Sequence, residues 1–149
     1  MTIVLVGLIA AVLGLAAAIH FYWLAGGLWP ARDEQALART VIGIEGIRKM
    51  PARWLTGLVV LGIALAAIWP MLWLGWIASP LPHWLTTAGM VVVCVVLLGR
   101  GFAGYSPAMK RLNCEEPFAT LNARYFSPTI ILLGVAFAIL LSTNPWWIS

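Results

Sequence analysis

The feature that most constrains this chain is where charge is absent. No Asp, Glu, Lys or Arg occurs from Met1 to Ala31, from Trp54 to Gly99, or from Tyr125 to Ser149. A helix crossing the hydrocarbon core of a bilayer needs about 20 predominantly apolar residues. The outer blocks accommodate one such helix each, and the middle block accommodates two. Ser79, Pro80, Leu81, Pro82 and His83 divide that middle block; prolines cannot continue a helix, and the cluster reads as a turn. The expected spans are therefore Ile3 to Gly27, Trp54 to Ile77, Trp84 to Tyr105 and Pro128 to Thr143. Of the 149 residues, 62% are apolar and 9% charged, against about 45–50% and 25% in soluble domains, so a water-soluble core of this length could not hide them. The first block has no basic start and outlasts the apolar region of a signal peptide, so it reads as a retained helix.

All nine basic residues fall in two of the three connections. Arg32, Arg39, Arg48, Lys49 and Arg53 lie in the first loop, and Arg100, Lys110, Arg111 and Arg124 lie at or within the third. Short cytoplasmic loops carry the excess of basic residues in membrane proteins. Both long loops are therefore expected in the cytoplasm and both termini in the periplasm of a bacterial inner membrane. The net charge of +4 is a topology signal, and no nucleic-acid partner is expected, because acids are interleaved with the bases. Tryptophan prefers the headgroup level. Trp23, Trp29 and Trp54 mark the inner boundary, while Trp69, Trp73, Trp76, Trp84, Trp146 and Trp147 mark the outer one.

Within the first loop, Ala31 to Arg39 contains good helix formers after Pro30, and a short surface helix is expected. Thr40 to Ile44 is mostly β-branched, and Glu45 and Gly46 suit a two-residue turn. That pattern favours a small β-hairpin over an interfacial helix interrupted by Gly43 and Gly46. In the third loop, Ser106 before Pro107 and Ser127 before Pro128 each pair a capping hydroxyl with a first-turn proline. Short helices are expected over Pro107 to Asn113 and Pro117 to Ala123, with Pro128 opening the last span. The fold class is thus an all-α, single-domain bundle of four membrane helices over residues 1–149, with short cytoplasmic helices.

Helices in lipid associate where small residues permit close approach. Gly7, Ala10, Ala11, Gly14 and Ala18 in the first span, and Gly57, Leu61, Ala64 and Ala67 in the second, are expected to touch. A homodimer through the same stripe is the alternative, and a larger membrane complex is a further partner to consider.

Ionisable groups inside a span are rare and turn toward protein or a polar cavity. His20 is one, and it shares a helical face with Trp23 and Gly27; Arg48 or Arg124 could approach it. Arg100 and Arg124 have the paired donors that suit a lipid phosphate, and Asn122 and Tyr125 add polar groups beside them. Headgroup candidates are thus His20, Trp23, Arg48, Arg100, Asn122, Arg124 and Tyr125, with His20 the candidate acid or base if there is catalysis. Each has a plainer role to weigh: a histidine bonded to a neighbouring helix, arginines reaching to headgroups. No metal or other cofactor is expected. His20 and His83 belong to opposite faces, and Cys94 and Cys114 form neither a redox pair nor a plausible disulfide.

His20-Phe21-Tyr22-Trp23-Leu24-Ala25-Gly26-Gly27 resembles the His, aromatic, Trp and paired-Gly signature of domain-of-unknown-function family 3995, a bacterial family of small integral membrane proteins. Residues 118–128, FATLNARYFSP, are similar to its closing motif, in which a Tyr-Ser-Pro element opens the last helix. Here Phe126 stands between Tyr125 and Ser127, and Thr129 follows Pro128 where the family has Leu-Cys. The resemblance implies membership and topology; it brings no activity or cofactor. The leading expectation is a non-enzymatic lipid-binding module or a subunit of a membrane complex. The alternatives are an enzyme acting on a lipid or isoprenoid headgroup through His20, and an oligomeric small-molecule transporter; no span carries an acid for ion coupling.

Overall fold

The computed structural model describes residues 1–143, all helical or irregular with no strand among them; Trp146 and Trp147 lie outside the described residues. Seven α-helices occur in the order α1 (Thr2–Leu24), α2 (Glu34–Val41), α3 (Arg53–Trp73), α4 (His83–Ala103), α5 (Pro107–Leu112), α6 (Phe118–Leu121) and α7 (Ser127–Thr143), with a π-helical turn over Asn122–Phe126. The turn joins α6 to α7, so Phe118–Thr143 is one continuous helix of 26 residues. Together with α1, α3 and α4, it makes four helices long and apolar enough to cross a membrane.

These helices are apolar on every side. Ile3, Val92, Val95 and Leu132 are more than half exposed, and a helix apolar all round needs either a large protein core or lipid around it. Val6, Ile9 and Leu13 of α1 face the interior with Ala66, Ala67 and Trp73 of α3, Met90 and Cys94 of α4, and Leu133, Phe137 and Leu140 of α7. The closest pairs are α1 with α3 and α4 with α7; contacts of α3 with α4 and of α1 with α7 close the ring.

The contact between α1 and α3 is as expected, but its residues are so only in part. Val6, Ile9, Leu13 and Ala17 recur at helical spacing and are buried, whereas Gly7, Ala11 and Ala18 are exposed. A methyl group added at Gly7 or Gly14 would meet nothing within 4 Å. Branched side chains supply most of the α1 side, Gly7, Ala11 and Ala18 face outward, and Ala67 of the stripe expected on α3 is buried in the core. Close backbone approach is found instead between α4 and α7. There a Cβ at Gly101 would lie 2.5 Å from Ile131 Cγ1, and one at Gly134 would lie 2.7 Å from Leu98.

Around Glu45 the chain turns, because the Ile47 amide donates to the Ile44 carbonyl at 3.1 Å. The expected hairpin does not form. The Glu45 amide donates to the Leu112 carbonyl at 3.3 Å and the Glu115 amide to the Gly43 carbonyl at 3.0 Å. Backbone groups that a returning strand would have used are thus taken by the third loop. Gly43, with φ +70°, takes the chain out of α2, and a side chain there would collide with Phe118, 2.5 Å from the added Cβ. Arg39 Nη2 pairs with Glu115 Oε2 at 2.8 Å, Glu115 Oε1 accepts from the Gly46 amide at 3.1 Å, and Asn113 Nδ2 donates to the Ile42 carbonyl at 2.6 Å. Both long loops therefore meet at one end of the bundle.

Other boundaries shift for local reasons. α2 begins at Glu34 because Asp33 Oδ1 accepts from the Ala36 amide at 2.8 Å and caps it. α3 ends at Trp73, closed by the Trp76 amide on the Met71 carbonyl at 2.9 Å. Ser106 caps α5 as expected, accepting from the Met109 amide at 3.2 Å. Ser127 caps nothing. Its backbone is helical, at φ −61° and ψ −45°, and its amide reaches five residues back to the Asn122 carbonyl. In that wider register the Ala123 carbonyl would pair with residue 128, a proline without an N–H. Tyr105 supplies the missing donor, its hydroxyl meeting the Ala123 carbonyl at 2.9 Å. The last helix thus passes through the serine-proline pair that the sequence suggests as its start.

Candidate functional site

At the loop-bearing end, α1 leaves the helix through the paired glycines. Gly26 has φ +98°, a conformation that favours glycine, and a Cβ at Gly27 would collide with the ring of Tyr22. The Gly27 amide donates to the Tyr22 carbonyl at 2.9 Å, and Trp23 Nε1 donates to the Trp29 carbonyl at 2.8 Å. The aromatic and glycine residues of the first motif thus fix the exit from α1. Directly beyond it lies a cleft of about 480 Å³, bounded by the end of α1, the start of α2 and the start of α3. Its apolar wall includes Trp23, Leu24, Leu28, Leu37 and Met50; its polar wall includes Arg32, Asp33, Glu34, Arg53 and Thr56.

The acids of this cleft are partly engaged, and its bases have no hydrogen-bond or ion-pair partner among the described residues. Asp33 Oδ1 caps α2, and Glu34 Oε1 accepts from the Met50 amide at 3.1 Å. Among the described residues the ion pair between Arg39 and Glu115 takes neither Arg32 nor Arg53. No side-chain cap covers the start of α3, so its first amides add positive potential at Arg53.

The sequence candidates fall into separate places. Trp23 lines the cleft. His20 is half-buried on α1; its Nδ1 donates to the Ala16 carbonyl at 2.7 Å, within its own helix. A carbonyl only accepts, so Nδ1 carries the proton. The Trp23 ring stands edge-on to it, at 4.9 Å between centroids. No hydrogen bond, ion pair or ring contact among the described residues joins His20 to Arg48, Arg100 or Arg124. Arg48 is exposed, and Arg124 is exposed over the ring of its neighbour Tyr125, 5.6 Å from the centroid.

Arg100 and Asn122 are brought together, in the seam between α4 and the π-helical turn. Arg100 Nη2 donates to Asn122 Oδ1 at 3.2 Å, and Ser127 Oγ donates to the same oxygen at 3.2 Å. Asn122 Nδ2 donates to the Gly104 carbonyl at 3.3 Å. Arg100 Nη1 is buried, with no hydrogen-bond partner among the described residues. This is a packing network. A second cleft of about 360 Å³ lies next to it, with Lys110, Asn113, Cys114 and Glu116 in its wall. No group of three or more His, Cys, Asp or Glu suited to a metal occurs among the described residues.

Arg32, Arg53 and Thr56 escape a reading by motif because 21 positions separate the two arginines. The available signal is geometric. A loop joining adjacent antiparallel helices must bring the end of one close to the start of the next, and its terminal charges with them.

The four helices define the class, a chain with four segments among the described residues long and apolar enough to cross a membrane. Residues 13–137 match the model of the family described as Protein of unknown function (DUF3995), and the chain belongs to that family. No curated protein and no solved structure matches it.

Proposed function

We propose that the protein is a multi-pass protein of the bacterial inner membrane that binds phospholipid headgroups at its cytoplasmic end, without catalysing a reaction. The observation that carries this reading is the cleft beside Trp23. It joins a wall of apolar side chains to two arginines, Arg32 and Arg53, that have no ion-pair partner among the described residues. Guanidinium groups suit phosphate oxygens, and tryptophan suits the boundary where headgroup meets acyl chain. The concentration of basic residues in the two long loops supports their cytoplasmic placement. Catalysis through His20 finds less support, because its proton-bearing nitrogen is bonded within α1 and it lines neither cleft.

The test is lipid retention. Protein extracted in mild detergent and analysed by native mass spectrometry is expected to carry phospholipid. The double substitution Arg32→Gln with Arg53→Gln should reduce that occupancy about tenfold, the order expected for two charge-assisted contacts at a partly screened site. Equal occupancy in the two proteins would reject the reading.

A further inference from the structure

We propose that this cleft selects a zwitterionic headgroup, a phosphate ester that also carries an ammonium group, over a purely anionic one. The proposal deepens the headgroup-binding reading above and rests on it. The polar wall holds two guanidinium groups, Arg32 and Arg53, and two carboxylates, Asp33 and Glu34, so its formal charges cancel. They do not pair with one another: the ion pair among the described residues is elsewhere, between Arg39 and Glu115. Each carboxylate gives one oxygen to a backbone amide, Asp33 to Ala36 and Glu34 to Met50. The other oxygen, Asp33 Oδ2 or Glu34 Oε2, makes no hydrogen bond among the described residues. The cleft therefore offers donors for a phosphate and acceptors for an ammonium at the same time.

An anion alone would take the arginines and leave the carboxylates uncompensated beside it, and like charges brought together are unfavourable. A headgroup carrying both signs answers both halves of the wall. The cleft holds about 480 Å³, ample for such a group, and Trp23, Leu24 and Leu28 give its acyl chains an apolar exit. That wall commits the site to a lipid rather than to a free phosphoamine.

The experiment places the whole chain in nanodiscs of equal parts phosphatidylethanolamine and phosphatidylglycerol, and counts the lipids that stay bound after release into the mass spectrometer. Wild-type protein should retain phosphatidylethanolamine in roughly fivefold excess, the scale of one partly exposed charge pair. Asp33→Asn with Glu34→Gln keeps both oxygens that accept from the backbone, since asparagine caps helices as well as aspartate does. It should turn the preference toward phosphatidylglycerol. Glu34→Gln alone leaves the cap untouched and should move the ratio the same way by a smaller step. Equal retention of both lipids by the wild type, or an unchanged ratio in the double variant, overturns the proposal. Preference for phosphatidylglycerol that vanishes with Arg32→Gln and Arg53→Gln overturns it while leaving the headgroup reading intact; retention of neither lipid overturns both. Glycerophosphoethanolamine, the same headgroup without chains, should leave the bound pool unchanged in excess; displacement of the lipid by it overturns the assignment to a lipid.

Discussion

Asn122→Ala is expected to destabilise the bundle by about 3 kcal/mol, from the loss of three buried hydrogen bonds, one of them to a charged group. Asn122 is 4% exposed and is the node between α4 and the last helix. Its removal leaves the Ser127 hydroxyl, the Gly104 carbonyl and Arg100 Nη2 without the partners they have now. Arg100 Nη1 already lacks one, so the whole guanidinium end would be unsatisfied in an apolar seam. Burying a charged donor without an acceptor costs more than losing a neutral contact. Ser127→Ala removes a single bond and should cost about 1 kcal/mol. Reversible unfolding in mixed micelles, followed by circular dichroism, measures both. Equal losses for the two substitutions would show that Asn122 is not the node.

Gly104→Ala should destabilise by about 2 kcal/mol through overpacking. The added methyl would fall on Ser127 Oγ, and would stand 3.0 Å from Asn122 Nδ2 and 3.1 Å from Ser127 Cβ. Rotating the Ser127 hydroxyl away relieves the first collision and breaks its bond to Asn122, so the seam yields only by opening. Adding Ser127→Ala should recover part of the loss, because the hydroxyl is the atom struck; the two effects are then non-additive, as expected for residues in contact. Gly14→Ala is the control. Nothing lies within 4 Å of its new methyl, and helix propensity alone makes it neutral or slightly favourable. A large loss at Gly14 would instead reveal a partner packed on the outer face of α1.

These sites explain how far the sequence could be read. Charge-free blocks place the first three spans to within a few residues, because the cost of a charge in hydrocarbon acts on each segment by itself, whereas the last helix begins at Phe118, well before Pro128. Asp33, which caps α2, stands inside the helix expected over Ala31 to Arg39. The hairpin around Glu45 failed for a different reason. Its local signal was genuine, and the turn forms, but the Glu45 amide is taken by the Leu112 carbonyl and the Gly43 carbonyl by the Glu115 amide, both from the third loop across the bundle end. Ser127 and Pro128 carry the local mark of a helix start, yet Tyr105 and Asn122, 22 and five residues upstream of Ser127, stabilise a continuous path. Of the seven candidates for a headgroup, Trp23 lines the arginine-bearing cleft, and Asn122 the smaller one. Arg32 and Arg53 go unseen because only the closing of the loop makes them neighbours.

The family signature also acquires a physical role. Trp23, Gly26 and Gly27 shape the turn that ends α1, and the same three residues line the cleft. An exit of fixed geometry is what a pre-organised binding wall requires. His20, one turn earlier, supports the Trp23 ring from the side.

The central claim is that the four apolar helices thread a membrane and leave both basic loops, with the cleft, on the cytoplasmic side. It is tested most directly by labelling intact cells with a membrane-impermeant maleimide. Leu81→Cys, Lys49→Cys and Arg111→Cys are compared singly, with Cys114→Ser throughout and Cys94 kept, since it is buried. Labelling is expected at position 81 alone, and at 49 and 111 only after the cells are broken. Labelling of 49 or 111 on intact cells, with 81 protected, would contradict it.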